Sequence, residues 1–285
     1  MLYGAIEAGG TKFVCAVGER GGRIVDKVTI PTSNPKQTLQ LVDSFFKKYR
    51  LSSIGIGSFG PIELNKKKES YGEILNTPKL DWKNFNIYHV FKEKYNIPIF
   101  LDTDVNAAAL GEYHYGAAKG LNSCLYITVG TGIGAGYAKE GVTLKGMTHP
   151  EMGHIYVPRH PQDAFEGSCP YHKDCLEGLA SGTAITARYG IKGNELKDKK
   201  EVWEVEAHYL AQAIVNYIFI LSPEKIILGG GVMKQGILFH LIRDEVSKLL
   251  QNYITIDSMD EYIVPPQLND EQGVLGALAL GVIPE

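Results

Sequence analysis

One supersecondary pattern occurs twice in this chain of 285 residues, about half a chain apart. Each copy has a strand-like run, a loop rich in glycine and threonine, a second strand-like run and a glycine-containing turn. The copies begin near Leu2 and Ser123, and their loops are residues 9–12 and 130–134. A repeated unit at this spacing predicts a duplicated architecture with two similar lobes facing one another.

Strand-like and helix-like segments alternate through both halves. Helical spacing of apolar residues predicts helices over 37–49, 85–94 and 201–221, and a run of small residues predicts another over 273–281. Short apolar runs at 97–101 and 225–228 are typical of buried strands. This alternation favours an α/β fold with largely parallel sheets, and the chain is long enough for two full cores.

Composition argues against several classes of protein. The formal net charge is −3, which gives no basic surface for nucleic acid or anionic membrane. An apolar strand follows the first residue, without a charged leader or a long apolar run. We therefore expect neither a secretory signal nor a membrane span, and a cytoplasmic protein.

Glycine-rich loops follow three of the predicted strands, at 9–12, 130–132 and 229–231. Such loops leave backbone N–H groups free to bind an anion, although a single one is more often a simple hairpin turn. Three of them, two in duplicated positions, favour a nucleotide held between the lobes. Glu7 and Lys12 flank the first loop. Glu7 could bind Mg²⁺, and Lys12 could neutralise phosphate charge.

A second group of residues has the spacing of a metal site. Cys169, His172 and Cys175 follow the pattern C-x2-H-x2-C, and His154 can add a fourth ligand. Two thiolates and two imidazoles complete a tetrahedral Zn²⁺ shell without a position for water, as in structural zinc sites. The alternative is surface Cys and His without a metal. His149 is predicted to face solvent.

Asp102, Thr103 and Asp104 separate a short strand from an alanine-rich helix. Asp and Thr are good N-caps, so one interpretation is that these residues only cap the helix. The other is that an Asp at the carboxyl edge of a strand faces a ligand crevice. We expect Asp102 or Thr103 to be the cap and Asp104 to be the functional residue.

Five segments, taken together and in their order along the chain, resemble the ROK family of sugar kinases and repressors, within the actin-like ATPase superfamily. The segments span residues 7–12, 102–112, 130–134, 151–175 and 228–232. Glu7 replaces the usual aspartate, and Cys-Pro-Tyr-His replaces the usual Cys-x-Cys-Gly at 169–172. Both variants, with the phrase at 148–154, are similar to the fructokinase branch.

The resemblance implies two similar actin-like (ribonuclease H-like) α/β lobes, with a nucleotide and sugar cleft between them. Residues 1–112 plus 273–285 would form the N-terminal lobe, and 113–272 the C-terminal lobe with a zinc loop at 151–178. Family members are commonly dimers, so a homodimer is expected.

The resemblance also assigns roles to residues. Asp104 would be the general base that accepts the proton of a sugar hydroxyl as it attacks the γ-phosphoryl group of ATP, with Mg²⁺ neutralising charge. Nucleotide contacts fall on Gly9, Gly10, Thr11, Lys12, Thr131, Gly132, Gly229 and Gly230. Hexose contacts fall on Asn106, Glu151, His154 and Glu177, and zinc ligands on His154, Cys169, His172 and Cys175.

The expected reaction is phosphorylation of D-fructose at O6. Glucose, mannose and N-acetylhexosamines stay open as substrates, because a small pocket change alters preference by only about 1–3 kcal/mol. A sugar-responsive repressor is a second class, but such relatives carry an N-terminal helix-turn-helix, whereas the first strand here begins at Leu2. A non-catalytic sugar sensor is a third class, and it would not need Asp104.

Overall fold

The computed structural model describes residues 1–282, and strands alternate with helices through most of that range. The strands are β1 (Leu2–Ala8), β2 (Lys12–Gly18), β3 (Ile24–Pro31), β4 (Leu51–Ser58), β5 (Glu73–Ile74), β6 (Phe85–Asn86), β7 (Ile99–Thr103), β8 (Ser123–Val129), β9 (Ile133–Lys139), β10 (Val142–Thr143), β11 (Ile226–Gly229) and β12 (Ile263–Val264). The helices are α1 (Pro35–Phe46), α2 (Ile87–Lys94), α3 (Asp104–Tyr115), α4 (Leu176–Ala180), α5 (Gly182–Tyr189), α6 (Lys200–Leu221), α7 (Ile237–Leu250), α8 (Met259–Tyr262) and α9 (Gln272–Val282).

The first five-stranded sheet has the order β3-β2-β1-β4-β7. β1 and β2 form an antiparallel hairpin around the first glycine loop, while β1, β4 and β7 run parallel. Glu7 in β1 is paired with Gly57 in β4, which is paired with Asp102 in β7. The carboxyl ends of three strands therefore place Glu7 and the Asp102–Asp104 stretch at one edge of the sheet.

The second five-stranded sheet has the order β10-β9-β8-β11-β12. β11 runs parallel to β8 and β12, and β9 and β10 are antiparallel. The two sheets repeat the predicted succession of strand, glycine loop and strand, which confirms the α/β class.

Helix starts differ from the prediction where a polar residue caps the first turn. α1 begins at Pro35 rather than 37, because the Asn34 side chain accepts a hydrogen bond from the Gln37 N–H and proline is favourable in a first turn. α2 begins at Ile87 rather than 85, because Asn86 caps it in the same way. After 229–231 a 3₁₀ turn, Val232–Lys234, precedes α7.

Residues 1–120, 136–150 and 267–282 form one compact unit, and residues 121–135 and 151–266 form the other. Residues 113–120, 136–150 and 267–272 therefore group with the N-terminal unit, unlike the predicted lobe boundaries. For 267–272 the physical reason is a long-range contact: the backbone N–H groups of Gln267 and Leu268 donate to the buried Glu112 carboxylate in α3. The predicted residues 283–285 lie outside the described range.

Within the described residues, none of the helices combines the length and the apolar character needed to cross a membrane.

Candidate functional site

Asp104 is the first residue of α3 and directly follows β7. Thr103 caps the helix, because its Oγ1 accepts the Asn106 N–H at 3.1 Å. This confirms the expectation that Asp102 or Thr103 is the cap. The helix start can lie close to the sheet because Gly57 has no side chain: a Cβ there would lie 2.6 Å from the Cβ of Ala107. Asp104 remains partly exposed, and its Oδ1 accepts the Val105 N–H at 2.8 Å.

Glu7 is the second carboxylate at this edge of the first sheet. Burial and the nearby Asp104 carboxylate raise the pKa of Glu7 to about 7, although Lys12 opposes the shift. Its carboxylate packs against Gly273 and accepts a hydrogen bond from the Val274 backbone N–H in the first turn of α9. The two carboxylates supply oxygen ligands of the kind that a hard divalent cation prefers.

The first glycine loop is a tight turn. The Gly9 N–H donates to the Lys12 carbonyl at 3.0 Å, and Thr32 Oγ1 donates to the Gly9 carbonyl at 2.7 Å. These bonds fix the loop, while Thr11 and Lys12 are exposed. The loop is therefore ordered and keeps its polar groups accessible.

The second glycine loop is held by the start of α5 in its own unit. The Gly182 N–H donates to the Gly130 carbonyl at 2.7 Å, and Thr183 Oγ1 donates to the Thr131 carbonyl at 2.7 Å. This pair of contacts was not predicted. The available signal was the sequence Ser181-Gly182-Thr183, in which Ser181 caps α5.

A cavity of about 860 Å³ lies beside this loop. It is lined by residues of the second loop, α5, the segment between α5 and α6, the first turn of α6 and the segment after β11, namely Gly130, Thr131, Gly182, Thr183, Ile185, Thr186, Ala187, Lys192, Gly193, Asn194, Trp203, Gly231, Val232, Lys234 and Gln235. The third glycine loop thus contributes Gly231 to the lining. Gly230 has φ +92° and turns the chain there, and Gly229 packs against the Tyr126 ring.

Four predicted metal ligands lie together in the second unit. One ligand atom from each of His154, Cys169, His172 and Cys175 lies within 4.8 Å of the others. His154 Nδ1 is 3.5 Å from the Cys175 sulfur, and Cys169 sulfur is 3.8 Å from Nδ1 of both histidines. Tetrahedral zinc with bonds of about 2.0–2.3 Å requires ligand separations of about 3.3–3.8 Å, and these three separations lie in that range.

Backbone pairing builds the cluster. Cys169 and Lys173 exchange backbone hydrogen bonds across a tight turn in which Lys173 has φ +54°, and Cys175 bridges to Tyr156. Burial raises the pKa of the Cys175 thiol to about 11, so a bound cation is needed to keep it a thiolate at neutral pH.

The predicted hexose residues have different surroundings. Asn106 is buried and its amide donates to Asp102 at 2.7 Å. Glu177 accepts the Ile133 N–H at 2.9 Å and packs against Gly132, so it supports the second glycine loop. Glu151 is exposed at the start of the turn that carries His154. His149 is buried rather than solvated, because its ring packs beside Gly60.

The fold and these loops are those expected of the ROK family. The chain belongs to this family, whose model matches residues 3–282. A putative fructokinase of Bacillus subtilis (strain 168) is 52% identical over 283 residues, covering 98% of this chain and 95% of that protein. A fructokinase of Pediococcus pentosaceus is 45% identical and covers 98% of this chain and 97% of its own length.

A solved structure of the same family has the same fold. A ROK hexokinase from Thermus thermophilus has a TM-score of 0.83 at 27% identity, covering 99% of this chain and 98% of that one. The predicted α/β fold of the ROK sugar kinases is confirmed.

Proposed function

We propose that this protein transfers the γ-phosphoryl group of ATP to O6 of D-fructose. The observation that carries the proposal is the match to fructokinases at 52% and 45% identity over nearly the whole chain. In the reaction, a bond forms between O6 and the γ-phosphorus, and the bond to the leaving oxygen of ADP breaks. The products are fructose 6-phosphate and ADP.

Asp104 is the general base in this proposal. It accepts the O6 proton, which increases the nucleophilicity of O6 as it attacks phosphorus. Two features support the role: Asp104 is partly exposed at the carboxyl edge of parallel strands, and Thr103 performs the capping. The cap of α3 is therefore Thr103, and the Asp104 carboxylate lies beside it in a partly exposed position.

The remaining contacts follow from the loops. Gly9, Gly10, Thr11, Lys12, Thr131 and Gly132 would hold phosphates, and Gly229 and Gly230 would border the adenosine. The Glu7 carboxylate would hold Mg²⁺, which neutralises charge on the phosphates when bound. Asn106, Glu151, His154 and Glu177 would orient the hexose through its hydroxyl groups. A homodimer and a cytoplasmic location stay predictions.

An ADP-release assay across fructose, glucose, mannose and N-acetylglucosamine tests the activity and its preferred sugar. We expect fructose to give the highest kcat/KM. Asp104→Asn keeps the shape but removes the base, so kcat should fall by about 10²–10⁴-fold.

Asp257→Asn is the matched control, because Asp257 is an exposed carboxylate in a loop of the other unit. It should retain wild-type turnover. No phosphorylation of any hexose by the wild type would refute the kinase activity, whereas near-normal turnover of Asp104→Asn would refute only the role of the base.

We also propose that His154, Cys169, His172 and Cys175 bind one structural Zn²⁺. The ion would fix the turn that carries His154 to the 169–175 loop, and the four ligands leave no position for a reacting water. His154 could use its second ring nitrogen for the hexose.

Zinc measured by mass spectrometry after gel filtration should be about one per chain in the wild type and near zero in Cys169→Ser. Cys15→Ala is the control, because Cys15 is a buried thiol in β2. Unchanged zinc in Cys169→Ser would disprove the site.

A further inference from the structure

Asp102 is a fully buried carboxylate at the end of β7, two residues before the proposed base. A buried charge is costly unless donors surround it. Both of its oxygens are used. Oδ1 accepts the Thr103 N–H at 2.8 Å and the Asn106 amide at 2.7 Å. Oδ2 accepts the Thr143 hydroxyl at 2.7 Å and lies 3.2 Å from the Lys145 ammonium.

The two oxygens serve different segments of the same unit. Oδ1 holds the first turn of α3 on both sides of Asp104, through Thr103 and Asn106. Oδ2 holds β10 and Lys145 just beyond it. Residues 143–150, here called the 143–150 segment, lead directly to Glu151, a proposed hexose contact. One carboxylate thus connects the backbone of the proposed base to the segment that precedes a proposed hexose residue.

Lys145 is the one of the four donors that solvent reaches readily. Its side chain is 39% exposed, whereas Thr103, Asn106 and Thr143 are buried. Residues 144–148 are all exposed, including Met147 at 86%. The Lys145 contact therefore fixes the start of an exposed stretch whose other end is the buried His149.

We infer that Asp102 is a positioning residue, and that its contact with Lys145 holds the 143–150 segment in the arrangement that binds the hexose. The kinetic part of this inference rests on the proposed hexose kinase activity. Loss of the lysine charge leaves Asp102 with its three buried donors, so the fold persists while the exposed segment loosens.

Lys145→Met tests the inference because it removes the charge and retains most of the side-chain length. Hydrogen–deuterium exchange of peptides covering residues 140–150 should accelerate about tenfold, since local opening becomes easier. The fructose KM should rise and kcat should fall, lowering kcat/KM for fructose about tenfold, while the KM for ATP stays unchanged. Lys145→Arg should restore both readouts.

Lys139→Met is the control, because Lys139 is an exposed lysine at the end of β9 in the same unit. It should match the wild type in exchange and in kinetics. Asp102→Asn adds a double-mutant cycle: if the two side chains act together, the double variant loses no more fructose kcat/KM than Asp102→Asn alone.

Wild-type exchange in Lys145→Met overturns the inference, and so does faster exchange with unchanged fructose parameters. Simple additivity of the two substitutions overturns it as well. If Asp102→Asn does not fold, the Lys145 variants still decide. If the wild type phosphorylates no hexose, the proposed activity fails, and the exchange comparison alone decides whether Lys145 holds the segment.

Discussion

Glu206 shows how a single residue in α6 can couple stability to pH. Glu206 is 1% exposed, and neither carboxyl oxygen has a hydrogen-bond partner among residues 1–282. Burial raises the pKa of Glu206 well above its usual value, and the nearby Arg188 only partly opposes this. Folding therefore favours the protonated form of Glu206, whereas the unfolded chain ionises it at its usual, lower pKa.

As pH rises, the unfolded chain loses the Glu206 proton at a lower pH than the folded protein does. The contribution of Glu206 to stability is therefore lost as pH rises from its unfolded pKa towards its folded pKa. The slope is at most about 1.4 kcal/mol per pH unit. Glu206→Gln removes the titration, so its free energy of unfolding should fall less than that of the wild type between pH 5 and 8, measured with urea. Glu204→Gln, an exposed control on the same helix, should follow the wild type. Parallel curves for wild type and Glu206→Gln would contradict the assignment.

At the scale of elements, α3 and α9 approach each other through glycines. A Cβ on Gly276 would overlap the Ala107 carbonyl oxygen, and a Cβ on Gly111 would overlap that of Gln272. Gly276→Ala should therefore destabilise the protein by about 3 kcal/mol, although alanine is normally the better helix former.

The matched control is Gly236→Ala, because Gly236 precedes α7 with φ −57° and a Cβ there would meet nothing within 4 Å. It should be neutral or slightly stabilising in the same urea experiment. Equal effects of the two substitutions would show that helix contact does not limit position 276.

At the scale of the whole molecule, one unit is assembled from both ends of the chain. α9 contributes Val274, Leu275, Ala277 and Leu278 to a core that also contains Tyr3 and Ala5 of β1. Deletion of residues 267–285 should therefore unfold this unit, because the first sheet loses the apolar surface that covers it.

Limited proteolysis tests this prediction. In the truncated chain, cleavage within 1–120 should become rapid, while 151–266 should be cleaved more slowly, because the second unit retains its own contacts. Tyr253→Ser is the control, because Tyr253 lies in the second unit and is 84% exposed. This variant should resist cleavage like the wild type. Resistance of 1–120 after truncation would contradict the dependence on α9.

The amino-acid sequence by itself determined the local features. Apolar periodicity predicted α6 and β11 closely, the glycine loops predicted the β1–β2 hairpin, and the C-x2-H-x2-C spacing predicted which residues gather around His154. These features depend on neighbours within a few residues or on a single short loop. Even the cap was limited to Asp102 or Thr103 on these grounds.

The tertiary structure decided what depends on distant segments. Thr143 and Lys145 reach Asp102 across about 40 residues of chain. Glu7 acquires its raised pKa from burial and from Asp104, and residues 136–150 group with the N-terminal unit. No local pattern encodes these outcomes, because burial and charge proximity arise only when separate strands and helices pack together. The repeat in the sequence predicted two similar lobes and the resemblance named Asp104 as the base candidate, whereas only packing showed that Asp102 is buried among four donors beside it.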